Sequence, residues 1–267
     1  MFWKAAPHLY PPYLRARIRR GRGVGEGIDY KPWLPIREVP SQGTSSSVLG
    51  IKVNRAHHTL SELETIYLFL AERRPSVVDI REQWPIFDLD RTLRLCADQG
   101  VRHIFRGEYP EPLTIDFLLT EEIDGKITFR AASVKSEADA KDPKVRKRLA
   151  VEYLWCQERN IPWTLVDTSS FNKTVLANLR FMRRWFRHHF KPVSPQADNF
   201  AKQFLFCYRL NINLRTLLDS TARRLSISND AADDLFSYCA WSNRIPVSLR
   251  HPVLMNNPLV LVSDRNA

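Results

Sequence analysis

Apolar and polar residues along the chain follow two periods, one typical of helices and one typical of strands. After Ser61 apolar residues recur every three or four positions until Pro75 stops the repeat, which predicts a helix capped by Thr59 or Ser61. The next segment, Val77–Ile86, alternates around apolar positions and predicts a β-strand. A helix followed by a strand is consistent with a mixed α/β domain.

The middle of the chain contains a predicted β-hairpin. Two apolar segments flank Asp124 and Gly125, and an Asp-Gly pair between two such segments is a strong signal for a tight turn. Asp142 is placed to cap the helix after the hairpin. The elements predicted here are a short helix at Asp88–Cys96, strands at Thr114–Glu122 and Ile127–Lys135, a helix at Pro143–Arg159 and a strand at Pro162–Asp167.

The last third of the chain has a different character. Two prolines and several turn-forming residues in Lys191–Asn199 predict a linker. The elements expected beyond it are helices near Phe200–Tyr208, Leu214–Leu225 and Asn229–Trp241 and short strands at Ile245–Leu249 and Leu259–Val262. Three helices and a small hairpin predict a winged-helix-like domain. We therefore expect a basic N-terminal arm (1–50), an α/β domain (51–190) and a C-terminal helical domain (191–267).

Composition points to a polyanionic partner inside the cell. Lys and Arg number 40 against 29 Asp and Glu, which gives a net charge of +11 and favours nucleic acid. The four cysteines are far apart and form no CxxC pair, so neither a zinc site nor a disulfide framework is expected. The sequence has no apolar run of the roughly 18 residues that a membrane span needs, so no membrane association is expected.

The N-terminal arm concentrates part of this positive charge. Its string RARIRRGRGVGEG interleaves arginines with four glycines, and no strand precedes it, so it is not a dinucleotide-binding fingerprint. A solvated basic arm and a DNA-phosphate-binding loop explain the pattern equally well. The candidate DNA-binding residues are Arg15, Arg17, Arg19, Arg20 and Arg22.

The predicted hairpin carries the candidate chemistry. Asp116 lies within an apolar strand, where a carboxylate needs a partner or a cation, and pairing around the turn brings Lys135 close to it. An Asp, a hairpin and a Val-Lys pair form the pattern of metal-dependent nucleases of the restriction-endonuclease type, which cleave phosphodiesters with carboxylate-held cations. Glu64 projects toward the apolar face of its helix and completes an acidic cluster.

Each of these residues also has a structural interpretation. A strand lysine such as Lys135 is often a solvated edge charge, and Glu64 can be a partly exposed helix residue. The aromatic and basic run FMRRWFRHHFK (181–191) suits nucleic-acid stacking, and it suits packing of a helix on the core equally well.

A family resemblance adds to this interpretation. The strings RIRRGRGVGEGIDYKPWL, REVPSQG, HHTLSELE, DIREQWPI, TIDFLL and IPWTLV, with the Val-Lys pair at 134–135, resemble in order the TnsA endonuclease subunit of Tns-type heteromeric transposases. The resemblance covers roughly residues 15–170. It implies a restriction-endonuclease-like core (a mixed sheet flanked by helices) with a C-terminal winged-helix-like domain, in a cytoplasmic, nucleoid-associated protein.

The resemblance also implies an activity and partners. Such a protein cuts the 5′, non-transferred strands at transposon ends, while the DDE-type transposase TnsB cuts and joins the 3′ ends and the ATP-dependent regulator TnsC contacts the C-terminal region. Glu64, Asp116 and Lys135 match the family's catalytic residues. The expected cofactor is one or two Mg²⁺ ions, with Mn²⁺ as a substitute, held by Glu64, Asp116, Ser133 and the Val134 carbonyl. The family often has Gln where this chain has Ser133.

Two other functions stay open at this point. A stand-alone restriction or junction-resolving nuclease would share the core and would cut DNA without a partner. A DNA-binding assembly factor with a decayed site, of which Ser133 would be the symptom, would bind transposon ends without cutting them. A plain winged-helix regulator would leave the first half of the chain unexplained.

Overall fold

The computed structural model describes residues 10–36 and 44–264, so the string REVPSQG at 37–43 lies outside the described residues. The chain divides into two compact units, Met1–Ser169 and Ser170–Ala267. The described part of the first 50 residues belongs to the first unit, and the expected domain boundary at 190 falls inside the second.

The first unit is built around a four-stranded mixed sheet. Its elements are α1 (Pro12–Arg19), β1 (Ser46–Leu49), β2 (Ala56–Thr59), α2 (Glu62–Arg73), β3 (Val77–Ile86), α3 (Leu89–Asp98), β4 (Phe105–Arg106), β5 (Tyr109–Pro110), β6 (Leu113–Ile123), β7 (Lys126–Val134), α4 (Glu137–Lys141), α5 (Pro143–Gln157) and β8 (Trp163–Val166). The strand order is β3-β6-β7-β8, with β8 parallel to β7 and the other pairs antiparallel.

The predicted hairpin forms the centre of this sheet. Ile123 pairs with Lys126, and Asp124 and Gly125 take φ angles of 51° and 72°, as a two-residue turn of the primed type requires. The turn fixes the register, and the last pair of the ladder is Phe117 opposite Ala132. The predicted hairpin is confirmed, and so is the helix capped by Ser61.

Helices cover the sheet through aromatic contacts. The ring of Trp84 in β3 lies 5.7 Å from that of Trp155 in α5, within a buried cluster to which α3 contributes Leu95. On α2, Tyr67 contacts Phe117 of β6 at 5.1 Å. A mixed sheet flanked by helices fits a restriction-endonuclease-like core.

The basic N-terminal segment is folded onto this unit. Leu14 and Ile18 of α1 pack with Trp33 and Phe87 in a second buried cluster. In the loop that follows α1, Gly21, Gly23, Gly25 and Gly27 all have positive φ, between 58° and 84°. A residue other than glycine is strained in this conformation, which explains why glycine occupies every second position of the loop.

The second unit is helical. Its helices are α6 (Lys173–Met182), α7 (Arg184–Arg187), α8 (Ser194–Cys207), α9 (Leu214–Leu225) and α10 (Asn229–Trp241). The last two match their predicted bounds. The linker prediction is wrong in part, because α8 begins at Ser194 with Pro195 in its first turn, where proline costs no hydrogen bond. In place of the two expected strands, one isolated antiparallel bridge joins Val247 and Leu261.

The aromatic and basic run at 181–191 packs within this helical unit. Trp185 is buried, Arg184 donates to Asp233 at 2.5 Å, and the His188 ring lies 2.7 Å from Asp234. These contacts favour the packing interpretation over base stacking. Within the described parts of both units, no helix is long and apolar enough to cross a membrane.

The glycine loop provides a test of this packing. A Cβ at Gly23 would lie 2.3 Å from Cγ of Pro85, whereas a Cβ at Gly100 would contact nothing within 4 Å. Both glycines have left-handed φ, of 68° and 62°. We expect Gly100→Ala to cost about 1 kcal/mol of folding free energy and Gly23→Ala about 1–3 kcal/mol more, because only the latter adds a clash. Thermal unfolding of the full chain measures both, and equal losses would contradict the close packing.

Candidate active site

A row of three polar side chains crosses the middle of the sheet. Asp116 of β6 and Ser133 of β7 lie one residue beyond Phe117 and Ala132, the last pair of the hairpin ladder. On the other side of β6, Gln83 of β3 falls between Glu82, which pairs with Phe117, and Trp84, which pairs with Ile115. The strand pairing thus brings these three residues to the same part of the sheet.

Asp116 is the most heavily engaged member of the row. Its Oδ2 accepts a hydrogen bond from the Val134 N–H at 2.7 Å and another from the Lys135 Nζ at 2.6 Å. The Lys135 carbonyl accepts a hydrogen bond from the Thr168 hydroxyl at 2.8 Å, which fixes the backbone where β7 ends. An extended residue presents its N–H and C=O on the same strand edge, so the Val134 carbonyl also faces the Asp116 side.

Glu64 approaches from the first turn of α2. Its backbone N–H donates to the Ser61 hydroxyl, and its Oε2 accepts from the Leu60 N–H at 2.9 Å, a capping arrangement that sets its direction. Burial, and after it the negative charge of Asp116, raise the pKa of Glu64 to about 7. The capping interaction therefore holds a carboxyl group in a site that opposes its ionisation.

Glu152 of α5 is a member of the site that the sequence analysis missed. It is 3% exposed, and its Oε2 accepts a hydrogen bond from the Ser133 hydroxyl at 2.5 Å. Burial and the charge of Asp116 raise its pKa to about 7 as well. The available signal was its position between Leu149 and Cys156 on the apolar stripe of α5, where a carboxylate is unusual.

Gln83 is the second missed residue. It is 3% exposed, its Nε2 lies 3.4 Å from Oε2 of Glu64, and its φ is 47° in the middle of a strand. A non-glycine residue in this conformation costs about 1–3 kcal/mol, and such strain is concentrated at functional sites. The sequence offers no distinct signal for it, because Gln83 follows Arg81 and Glu82 in a run of polar residues.

Lys135 links the three carboxyl groups. Burial lowers the pKa of its ammonium, but Asp116, Glu152 and Glu64 outweigh that effect, so the net direction is upward. Lys135 thus stays protonated near neutral pH. A small cavity of about 150 Å³ lies at Asp116, Lys135 and Glu152, and Asp139 and Arg148 also line it.

The side chains of the site provide oxygen donors of the kind that a hard metal ion requires. Glu64, Asp116 and Glu152, which we call the carboxylate cluster, offer only oxygen atoms, which suit a hard cation such as Mg²⁺. Two of the three have raised pKa values because they are buried near a like charge, and a divalent cation would relieve that repulsion. As arranged, no three His, Cys, Asp or Glu residues within 10–36 and 44–264 form a preassembled metal-ligand group.

The predicted DNA-binding arginines lie apart from this cluster and differ among themselves. Arg17 donates to Glu111 at 2.8 Å and to the Trp33 carbonyl at 3.0 Å, and it stacks on the Trp33 ring, so the geometry gives it a structural role. The other four are half-buried or exposed, and two of these line a separate cavity. They are Arg15 and Arg19 on α1 and Arg20 and Arg22 at the cavity.

Comparison with known proteins agrees with the restriction-endonuclease-like fold of the first unit. Residues 74–168 match the family model described as "TnsA-like endonuclease N terminal". "Transposon Tn7 transposition protein TnsA" of Escherichia coli is 36% identical over 167 residues, which are 62% of this chain. The match spans 60% of that relative's length.

The fold and the site of the first unit together indicate the class of protein. A four-stranded mixed sheet with an acidic cluster and a lysine at one point of its central strands fits a restriction-endonuclease-like domain. The sequence matches narrow this class further, to the TnsA-like endonuclease domain whose family model residues 74–168 match.

The raised pKa values predict how stability depends on pH. The pKa of Glu152 is about 7 in the folded chain against an ordinary value of 4.5, so the folded chain binds this proton more tightly and loses stability as pH rises from 4.5 to 7. In EDTA, Glu152→Gln should be about 1–3 kcal/mol more stable than wild type at pH 8, with a much smaller difference at pH 5. Thermal unfolding at both pH values measures this.

The control for this prediction is Glu122→Gln, which alters an exposed carboxylate on β6 of the same unit. It should leave the pH dependence unchanged. Parallel wild-type and Glu152→Gln curves between pH 5 and pH 8 would contradict the assigned electrostatics.

Proposed function

We propose that this chain is a metal-dependent DNA endonuclease that acts at the ends of a transposable element. The observation that carries the proposal is the Asp116 carboxylate, whose Oδ2 accepts hydrogen bonds from both Lys135 and Val134. A buried carboxylate, a backbone group at a strand end and a lysine together provide ligands for a cation and a positive charge for a phosphate.

The comparisons support the same chemistry. The matching family model describes an endonuclease domain, and the Escherichia coli relative is named a transposition protein. On this basis the substrate is double-stranded DNA at transposon ends, and the cut falls on the 5′, non-transferred strand. The proposed location is the cytoplasm, on the nucleoid.

The carboxylate cluster and the Val134 carbonyl would hold one or two Mg²⁺ ions, for which Mn²⁺ would substitute. When bound, the metal supplies Lewis-acid polarisation of the phosphodiester and a lowered pKa for coordinated water. Ser133, predicted as a ligand, donates its hydroxyl to Glu152. We therefore assign to Ser133 the orientation of that carboxylate, which brings a third acidic group to the site from α5.

The chain's own residues have separate tasks. Lys135 is held as a cation beside Asp116 and offsets the charge that develops on the phosphate during cleavage. Glu64 and Glu152, with pKa values near 7, exchange their protons close to neutral pH and release them when a cation binds. Gln83 donates toward Glu64 and keeps its Oε2 oriented when the carboxyl group ionises.

The proposed partners are the DDE-type transposase TnsB, which processes the 3′ ends, and the ATP-dependent regulator TnsC. We assign the helical second unit to protein interaction and keep the winged-helix-like description as part of the proposal. Among its described residues, Phe206 and Leu210 are 59% and 62% exposed, and exposed apolar side chains of this size suit a protein contact.

A second candidate function is a DNA-binding assembly factor without cleavage. It is favoured by the lack, within the described ranges, of a preassembled three-residue metal-ligand group. In that case the carboxylate cluster would serve only the fold.

Strand-resolved mapping of cuts at the transposon ends separates the two functions. With the partner transposase, the ATPase and Mg²⁺ present, we expect 5′-strand cuts with wild type. Asp116→Ala should abolish them by at least about a thousandfold while 3′ cuts persist, because it removes the central carboxylate. Asp98→Ala, an exposed aspartate on α3, is the matched control. Identical 3′-only products from wild type and Asp116→Ala would establish the assembly factor.

Arg148 allows a finer test of the cavity. It lines the same cavity as Asp116 and Glu152, and its charge lowers the pKa of Glu152, whereas the neighbouring Lys147 is exposed and does not line the cavity. Arg148→Ala should slow 5′ cleavage by about tenfold (about 1.4 kcal/mol) through the loss of a phosphate contact. Lys147→Ala should change the rate by less than about twofold. If Arg148→Ala and Lys147→Ala changed the rate of 5′ cleavage equally, the DNA backbone would contact the unit elsewhere.

A further inference from the structure

The first unit contains a larger cavity that the proposed catalytic chemistry does not use. It has a volume of about 500 Å³, and we call it the loop cavity. One wall comes from the glycine-rich loop after α1 and the other from the start of β2. Its lining residues are Arg20, Arg22, Ile28, Tyr30, Lys31, Pro32, Pro35, Arg55, Ala56 and His58.

The charge of this lining is strongly one-sided. None of the described residues that line the cavity is acidic, although Glu26 and Asp29 belong to the same loop. Arg55 is balanced by Glu82 below it, through two hydrogen bonds of 2.8 and 2.7 Å. Arg20, Arg22 and Lys31 add three further cations to the lining, and three cations around one concave space attract an anion.

These cations are held on an ordered frame. The Gly23 N–H donates to the Lys31 carbonyl at 2.7 Å, and the Lys31 ammonium donates to the Arg20 carbonyl at 3.3 Å. The Gly27 N–H donates to Asp79 at 3.1 Å, which fastens the far end of the loop to β3. A frame that is fixed before binding reduces the entropy lost when a ligand is held.

The floor of the cavity is equally fixed. Burial raises the pKa of Glu82, but hydrogen bonds from Arg55 and His57 outweigh this effect and lower it to about 2. The Tyr30 hydroxyl donates to the Glu82 carbonyl at 3.0 Å. Glu82 thus stays ionised and keeps Arg55 in place across the physiological pH range.

We propose that the loop cavity binds a phosphodiester group of the DNA backbone, at a distance from the bond that is cut. This inference rests on the proposed function, since it supplies the DNA that the carboxylate cluster would cleave. A polymer of phosphates fits better than a small anion, because Arg19 and Arg15 continue the positive charge along α1 outside the cavity. Phosphate contacts of this kind position DNA without reading its sequence.

The test is the salt dependence of binding to a labelled duplex of the transposon end, measured by fluorescence anisotropy in EDTA. The variant is Arg22→Ala with Lys31→Ala in the full chain. Its matched control, Arg102→Ala with Lys126→Ala, removes the same charge from exposed positions of the same unit. We expect the variant to bind about tenfold more weakly, with a slope of log affinity against log salt that is shallower by about 1 to 2. Equal slopes for variant and control would overturn the proposal.

A measurement on the wild-type chain covers the case in which the variant fails to fold. Duplex DNA should slow the acetylation of Lys31, read by mass spectrometry, by about tenfold relative to Lys126, because a bound phosphate covers that ammonium. Inorganic phosphate at the same phosphate concentration should protect Lys31 much less. No protection by DNA, or equal protection by both, would overturn the assignment to the DNA backbone.

These readouts do not depend on cleavage. If Asp116→Ala shows that the chain does not cut DNA, a shallower salt slope for the loop-cavity variant would still establish the binding site. If cleavage is confirmed while the slopes are equal, the phosphate contacts lie elsewhere and only the loop-cavity inference fails.

Discussion

The contact of Asp116 with Val134 and Lys135 is the constraint on which the rest of the site depends. It exists because a two-residue turn at Asp124-Gly125 fixes the register of β6 on β7, and a slip of one residue would move Asp116 to the other face of the sheet. The other carboxyl groups approach this point from α2 and α5. The hairpin therefore defines the position that the helices then surround.

Placing three carboxyl groups around one lysine is unfavourable for folding. Two of them have pKa values near 7, which means that the folded chain resists their ionisation. Gln83 adds backbone strain at φ 47°. The surrounding structure offsets these costs through the aromatic packing on both helices and the capping of α2, and a site that only stabilised the fold would not need such an arrangement.

The parts of this site that the sequence predicted are those set by local rules. The Asp-Gly turn gave the hairpin register, and the apolar periodicity of α2 gave the direction of Glu64. Glu152 was missed although it lies on the apolar stripe of α5, because the site that this stripe faces depends on how α5 packs against the sheet. Gln83 was missed because its positive φ is a property of the finished sheet. In the second unit the isolated bridge at Val247 differs from a regular hairpin for a similar reason: tertiary packing decides whether a short apolar segment pairs.

The loop cavity and the carboxylate cluster are connected through β3. Along β3, Glu82 holds Arg55 at the floor of the loop cavity, and the next residue, Gln83, contacts Glu64. A single peptide bond thus joins Glu82, which holds the floor of the loop cavity, to Gln83, which contacts the carboxylate cluster. A covalent connection within a paired strand does not stretch, so the span from the loop cavity to the cluster is fixed by the backbone and not by adjustable side-chain packing. On our proposal, a phosphodiester held in the loop cavity would place the DNA at a constant offset from Asp116, and the position of the cut would follow from that offset without contacts to the bases.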